Sequence, residues 1–154
     1  MKKKYWLVFL LFAACDSNRL FEQNHDFSSG CWTAGERPAF SFEISDTTSA
    51  YNLYINIRND SDYPFSNLYF TYRLSDSARV LQEKLHSADL FDRKTGRPLG
   101  RSGIGYLYDH REPLLRNYRF KQPGTYTIQF EQFMRTDTLC GIRATGLRVE
   151  RADG

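Results

Sequence analysis

An all-β fold, an antiparallel β-sandwich of about seven to nine strands, is predicted by three observations. Apolar residues recur with a period of two in several successive segments. Gly, Pro, Asn and Asp punctuate the intervals between them. No stretch carries the 3.6-residue period of a helix of useful length. An immunoglobulin-like and a jelly-roll arrangement both fit this pattern.

Before the first strand stands a leader, MKKKYWLVFLLFAAC. Lys2, Lys3 and Lys4 precede an apolar run, Tyr5 to Phe12, that is long enough for a translocon and too short for a membrane span. Ala13 and Ala14 then supply small side chains beside Cys15. Residues 1–14 read as a lipoprotein signal peptide, with Cys15 as the acylated first residue of the mature chain; the alternative is a plain secretory signal ending near a cysteine. Several acyl chains, at about 0.8 kcal/mol per buried methylene, make a near-permanent anchor. Residues 15–24 are polar and unpatterned beyond Cys15, and read as a lipidated terminus and short tether.

Residues 25–154 suit a single domain. Phe40, Phe42 and Ile44 alternate with Ser41 and Glu43. Tyr51, Leu53, Ile55 and Ile57 alternate with Asn52, Tyr54, Asn56 and Arg58, and Leu68, Phe70, Tyr72 and Leu74 follow the same rule. Pro64, in a stretch of Asn, Asp and Ser, marks a turn between the last two. Val80 to Phe91 reads as a longer strand bent or broken near Ser87, and Lys94-Thr95-Gly96 as a turn. Leu107 to Tyr118 follows neither period and contains Pro113, so it is expected to be a loop with a helical turn. Pro123 and Gly124 open a strand whose Tyr126, Ile128 and Phe130 share one face. In the last segment Ile142 and Ala144 hold one parity and Leu147 and Val149 the other, which predicts a bulge at Gly146.

Charge excludes one class of function. Of 21 basic residues three lie in the leader, leaving 18 against 18 acidic ones, so the mature chain is neutral and lacks the positive field of a nucleic-acid binder. With Cys15 committed to lipid, Cys31 and Cys140 either pair in an oxidising compartment or are two separately buried thiols. Pairing would close a long loop, at about 4–5 kcal/mol in the chain-entropy model.

Catalytic chemistry finds no foothold. His25, His86 and His110 lie far apart and lack zinc-site spacing, so no metal or other cofactor is expected. Asn59-Asp60-Ser61-Asp62 lacks the glycine and distal glutamate of a calcium loop and reads as a solvated turn. Gly100, Gly103 and Gly105 are not followed by a helix start, so tight turns explain them better than phosphate binding. No Gly-x-Ser-x-Gly elbow occurs, and the chain is read as a non-enzyme.

Aromatic residues are abundant, with 12 Phe, 10 Tyr and 2 Trp, and most are accounted for as core. Tyr54 and Tyr69 fall on the outward parity, where they could form a stacking platform for a glycan or a protein partner. Asp46-Thr47-Thr48, Asp76-Ser77-Ala78 and Asp137-Thr138-Leu139 resemble the O-glycosylation sequon of exported Bacteroidota proteins, making Thr47, Ser77 and Thr138 acceptor candidates.

The leader, the opening CDSNRLFEQNHDF, the pair FEISDTTSAYNLYINIRND and YPFSNLYF, the segment DLFDRKTGRPLG, and the endings YTIQFEQFMR and GIRATGLRVE together resemble the gliding-motility lipoprotein GldH family of the Bacteroidota. The resemblance runs from Cys15 to about Arg151. It implies a non-catalytic envelope lipoprotein needed for gliding and linked to type IX secretion, with other envelope proteins of that machinery as partners. It brings no catalytic residues. Only Asp16 follows Cys15, without the acidic run of surface-exported lipoproteins, so a periplasm-facing domain on the inner or outer membrane is expected. An envelope glycan-binding module is the competing reading.

Overall fold

A computed structural model describes residues 17–152, all β, with every pairing antiparallel. Its strands are β1 (Arg19–Asp26), β2 (Cys31–Thr33), β3 (Ala39–Ile44), β4 (Tyr51–Asp60), β5 (Asn67–Ser75), β6 (Val80–Asp89), β7 (Arg101–Ser102), β8 (Leu107–Tyr118), β9 (Gly124–Gln132), β10 (Thr138–Cys140) and β11 (Ile142–Arg151). Three of these have two or three residues and eight have six or more. Sheet A has the order β1-β11-β4-β8-β7, sheet B is the two-stranded ribbon of β10 and β2, and sheet C has the order β3-β9-β5-β6.

Alternation explains the packing. Tyr51, Leu53, Ile55 and Ile57 of β4 face Phe70, Tyr72 and Leu74 of β5, Phe40 and Phe42 of β3, and Ile128 and Phe130 of β9 in one core cluster. Inner residues of this size each contribute about 1.5–3 kcal/mol by leaving water. Aromatic contacts tie the sheets together: Phe21 of β1 meets Phe42 of β3, and Phe120, just beyond β8, meets Phe42 and Tyr126. The connections define two ends. Arg19, Ile44, Tyr51, Ser75, Tyr118 and Arg151 gather at the end where β1 begins; Asp26, Asp60, Asn67, Leu107, Gln132 and Ile142 gather at the opposite end.

Four sequence expectations are corrected. Residues 19–24, read as tether, belong to β1, whose Arg19–Asp26 pairs with β11. An edge strand with one face in water needs few apolar residues, and here Phe21, packed against the core, suffices. Residues 107–118, read as loop, are the twelve-residue β8. Pro113 is accommodated where the β4–β8 register shifts, and β7 covers β8 only at Tyr108 and Asp109, so much of that edge needs no amide donor. β6 runs unbroken through Ser87, which pairs with Tyr69.

The bulge in β11 lies between Ile142 and Ala144, not at Gly146. Gly146 is needed for a different reason: a Cβ there would sit 1.9 Å from Asn24 Oδ1 and 2.6 Å from the Gln23 carbonyl. Gly141 makes the turn into β11 at φ +93°, with Tyr63 backbone where a side chain would go.

Candidate contact surface

The outer face around the start of β5 on sheet C is apolar. Tyr69 points outward by strand parity, and Leu85 of β6 lies diagonally beside it. Phe133 follows the end of β9. Its N–H donates to the Tyr69 carbonyl at 2.8 Å, and the Tyr69 N–H points at Met134 Sδ at 3.3 Å, so the 133–134 backbone crosses the start of β5. Gln132 fixes this turn from below: its Oε1 accepts from the Met134 N–H and its Nε2 donates to the Thr136 carbonyl, both at 2.8 Å. Phe65 joins from the β4–β5 connection, edge-on to buried Tyr63, whose hydroxyl donates to the Asn67 carbonyl.

These residues line a groove of about 580 Å³ with Arg135 as its only charged member. Phe65, Tyr69, Leu85 and Phe133 remain 40%, 42%, 49% and 61% exposed. Four large apolar side chains clustered in water, at the far end from Arg19, are the chemistry of a contact site; covering them would contribute roughly 1 kcal/mol each.

The outer face of sheet A is of opposite character. Glu22 lies 2.9 Å from Arg148, 3.2 Å from Arg19 and 3.6 Å from Arg111, and accepts from Asn56 Nδ2 at 2.9 Å. Burial pushes its carboxyl up, but the hydrogen bonds from Asn56, Arg19 and Arg148 outweigh it and leave the pKa lowered. Arg148 is 5% exposed and also reaches Glu150 at 2.9 Å. Arg58 and Asp109 pair through two bonds of 2.7 and 3.2 Å.

Tyr54 belongs to this face, where burial and the neighbouring Glu150 carboxylate push its pKa up, while Tyr69 belongs to the groove. The two outward tyrosines sit on opposite sheets and form no common platform. Cys31 and Cys140 are paired residues of the β2–β10 ribbon, with their sulphurs bonded at 2.06 Å. Thr47 is half-buried in a turn capped by Asp46, and Ser77 is exposed in a turn capped by Asp76. Thr138 is exposed on β10. Cys15 lies outside the described residues.

The histidines are separate. His25 meets Glu36 at 2.8 Å, and His86 packs on Phe70. His110 Nε2 meets Asn59 Oδ1 at 2.8 Å, and burial pushes its pKa down. Asp60 of the acidic turn is held by Arg143 at 2.5 Å. Among the described residues no three His, Cys, Asp or Glu side chains converge on a metal-sized site. Gly103 and Gly105 shape the β7–β8 hairpin, in which the Gly103 N–H donates to the Leu107 carbonyl at 2.7 Å.

Of the groove, sequence reasoning reached only Tyr69, through its parity. Leu85 had the same signal, being one position from an inward residue of β6. Phe65, Phe133 and Met134 lie outside the strands, where no period marks them.

The GldH lipoprotein family model matches residues 19–149. The chain is 31% identical over 152 residues to a gliding motility lipoprotein GldH homolog of Christiangramia forsetii, covering 94% of this chain and 91% of that protein. It is 25% identical over 155 residues to the gliding motility lipoprotein GldH of Flavobacterium johnsoniae, covering 96% and 94%.

Proposed function

The chain belongs to the GldH lipoprotein family of gliding motility, and is thereby a lipid-anchored envelope protein; from that premise we propose that it is a non-catalytic, periplasm-facing component of the gliding machinery, associated with type IX secretion, that works by protein–protein contact. The observation that carries this reading is the apolar groove of Phe65, Tyr69, Leu85 and Phe133, exposed at the end of the sandwich remote from Arg19. With Cys15 acylated, only three residues separate the lipid from β1, so the β1 end stands against the bilayer and the groove is held out from it.

A double variant, Phe65→Asp with Phe133→Asp, in the native host tests the reading. Surface spreading and the secreted protein profile should fall to those of the deletion strain, with wild-type abundance in the membrane fraction. A deletion strain that spreads and secretes normally, or a double variant that does so, overturns it. Acylation is read separately with a clickable palmitate analogue, which should label the wild type and not Cys15→Ser.

A further inference from the structure

We infer that the groove and the free edge of β6 beside it form one site, which takes up an extended segment of a partner protein as an added strand of sheet C. This rests on the contact role proposed above and names the chemistry of the partner.

β6 ends the order β3-β9-β5-β6, and among the described residues no backbone bond reaches its outer side over 80–89. A row of unpaired amides and carbonyls is a template for another strand unless charge guards it. The other edges are guarded: β1 carries Arg19, Glu22 and Asp26, β3 carries Glu43, β7 carries Arg101, and the stretch of β8 that β7 leaves uncovered carries Arg111, Glu112, Pro113 and Arg116. The first half of β6 is guarded too. Glu83 there pairs with Arg73 at 3.1 Å, and exposed Lys84, paired in register with Tyr72, adds a positive charge. From Leu85 to Ala88 no Asp, Glu, Lys or Arg occurs, and this unguarded stretch is the one whose Leu85 lines the groove.

Edge and groove ask for the same ligand. Main-chain bonding along Leu85–Ala88 requires an extended backbone, because a helix has already used its amides. In an added strand, residues about 7 Å apart project to the outer face, where an aromatic or branched side chain would lie against Leu85 and Tyr69. The intervening residues would face His86 and be small or polar. Arg135, the only charge lining the groove, has no ion pair among the described residues and calls for an Asp or Glu in the segment. The occupant is therefore an internal stretch of another envelope protein that alternates apolar and polar residues and carries one acid.

The test places the photocrosslinker p-benzoylphenylalanine at Ser87 of the full chain in native membranes, with Ser41 on β3 as the control edge. Crosslinked peptides from Ser87 should map by mass spectrometry to such a segment. Leu85→Lys should lower their yield at least tenfold. Arg135→Glu should do the same, with recovery when the partner's acid is changed to Lys. Crosslinks to a second copy of this chain, to a helical segment, at equal yield in Leu85→Lys, or at no higher yield than from Ser41 overturn strand addition. If the Phe65→Asp, Phe133→Asp variant still loses spreading or secretion in that event, the groove remains a contact site and only its mode is refuted; if that variant is silent as well, both readings fall.

Discussion

The two outer faces of this sandwich are built on the same backbone geometry and finish it in opposite ways. On sheet A, Glu22 collects Arg148, Arg19, Arg111 and Asn56, and every group on that lattice has its partner in the same molecule. On sheet C, around Tyr69, apolar side chains stand in water beside the Arg135 guanidinium, which has no ion pair among the described residues. A self-satisfied face contributes to stability and has little left for anyone else. A face left unfinished contributes little to stability and is available to a partner.

The largest expected effect concerns the ribbon that closes the groove end of the molecule. Cys31→Ser removes a bridge across 109 residues, and should lower unfolding free energy by about 4–5 kcal/mol in urea titrations. Hydrogen exchange should rise first in residues 133–141, next to the groove, and leave the centre of sheet A protected; uniform loosening would erase the contrast between the faces.

Next comes the charge lattice. Glu22→Ala removes one of the carboxylates that hold buried Arg148, and should cost about 2 kcal/mol by thermal or chemical denaturation. Its pH dependence follows from the lowered pKa of Glu22. A carboxylate whose folded pKa lies below its ordinary 4.5 stabilises fully above that value and loses the contribution as pH falls through the folded pKa. The stability gap between wild type and Glu22→Gln should therefore narrow on acidification from about pH 5 to about pH 3. A gap that widens would mean the carboxylate is not held by these donors.

The exposed pair Arg58–Asp109 should matter less, with Arg58→Ala costing at most about 0.5 kcal/mol. Smallest of all is the groove: Phe133→Ser should leave the melting temperature within a degree or two while abolishing the contact function. A loss of stability as large as that of Glu22→Ala would show the groove to be part of the core and remove the distinction.

What the sequence revealed follows from how each strand is covered. β3, β4, β5 and β9 have one face in the core and one in water, so Phe40-Phe42-Ile44 and their counterparts alternate visibly. β8 hid because its inward positions include His110 and Glu112, and because its register shifts around Pro113. β11 shows the parity switch between Ile142 and Leu147 that its bulge produces, but Ala144 and Arg148 buried on its outer side hid where the switch falls, so Gly146 drew the bulge away from its true place between Ile142 and Ala144. The groove was least legible, since Phe65 and Phe133 are placed by turns and by Gln132 rather than by any periodic rule.

The seat of β11 also sets a timetable. It lies between β1 and β4, so the strand made last is the one that the first and fourth both lean on. A chain emerging from a ribosome or a translocon cannot close sheet A until residues beyond 142 arrive, and such distant pairing is intrinsically slow. Delay of this kind keeps the polypeptide threadable during transit and lets it harden only on release. Truncation before Ile142 should accordingly yield a chain that proteases destroy, not a slightly weakened domain.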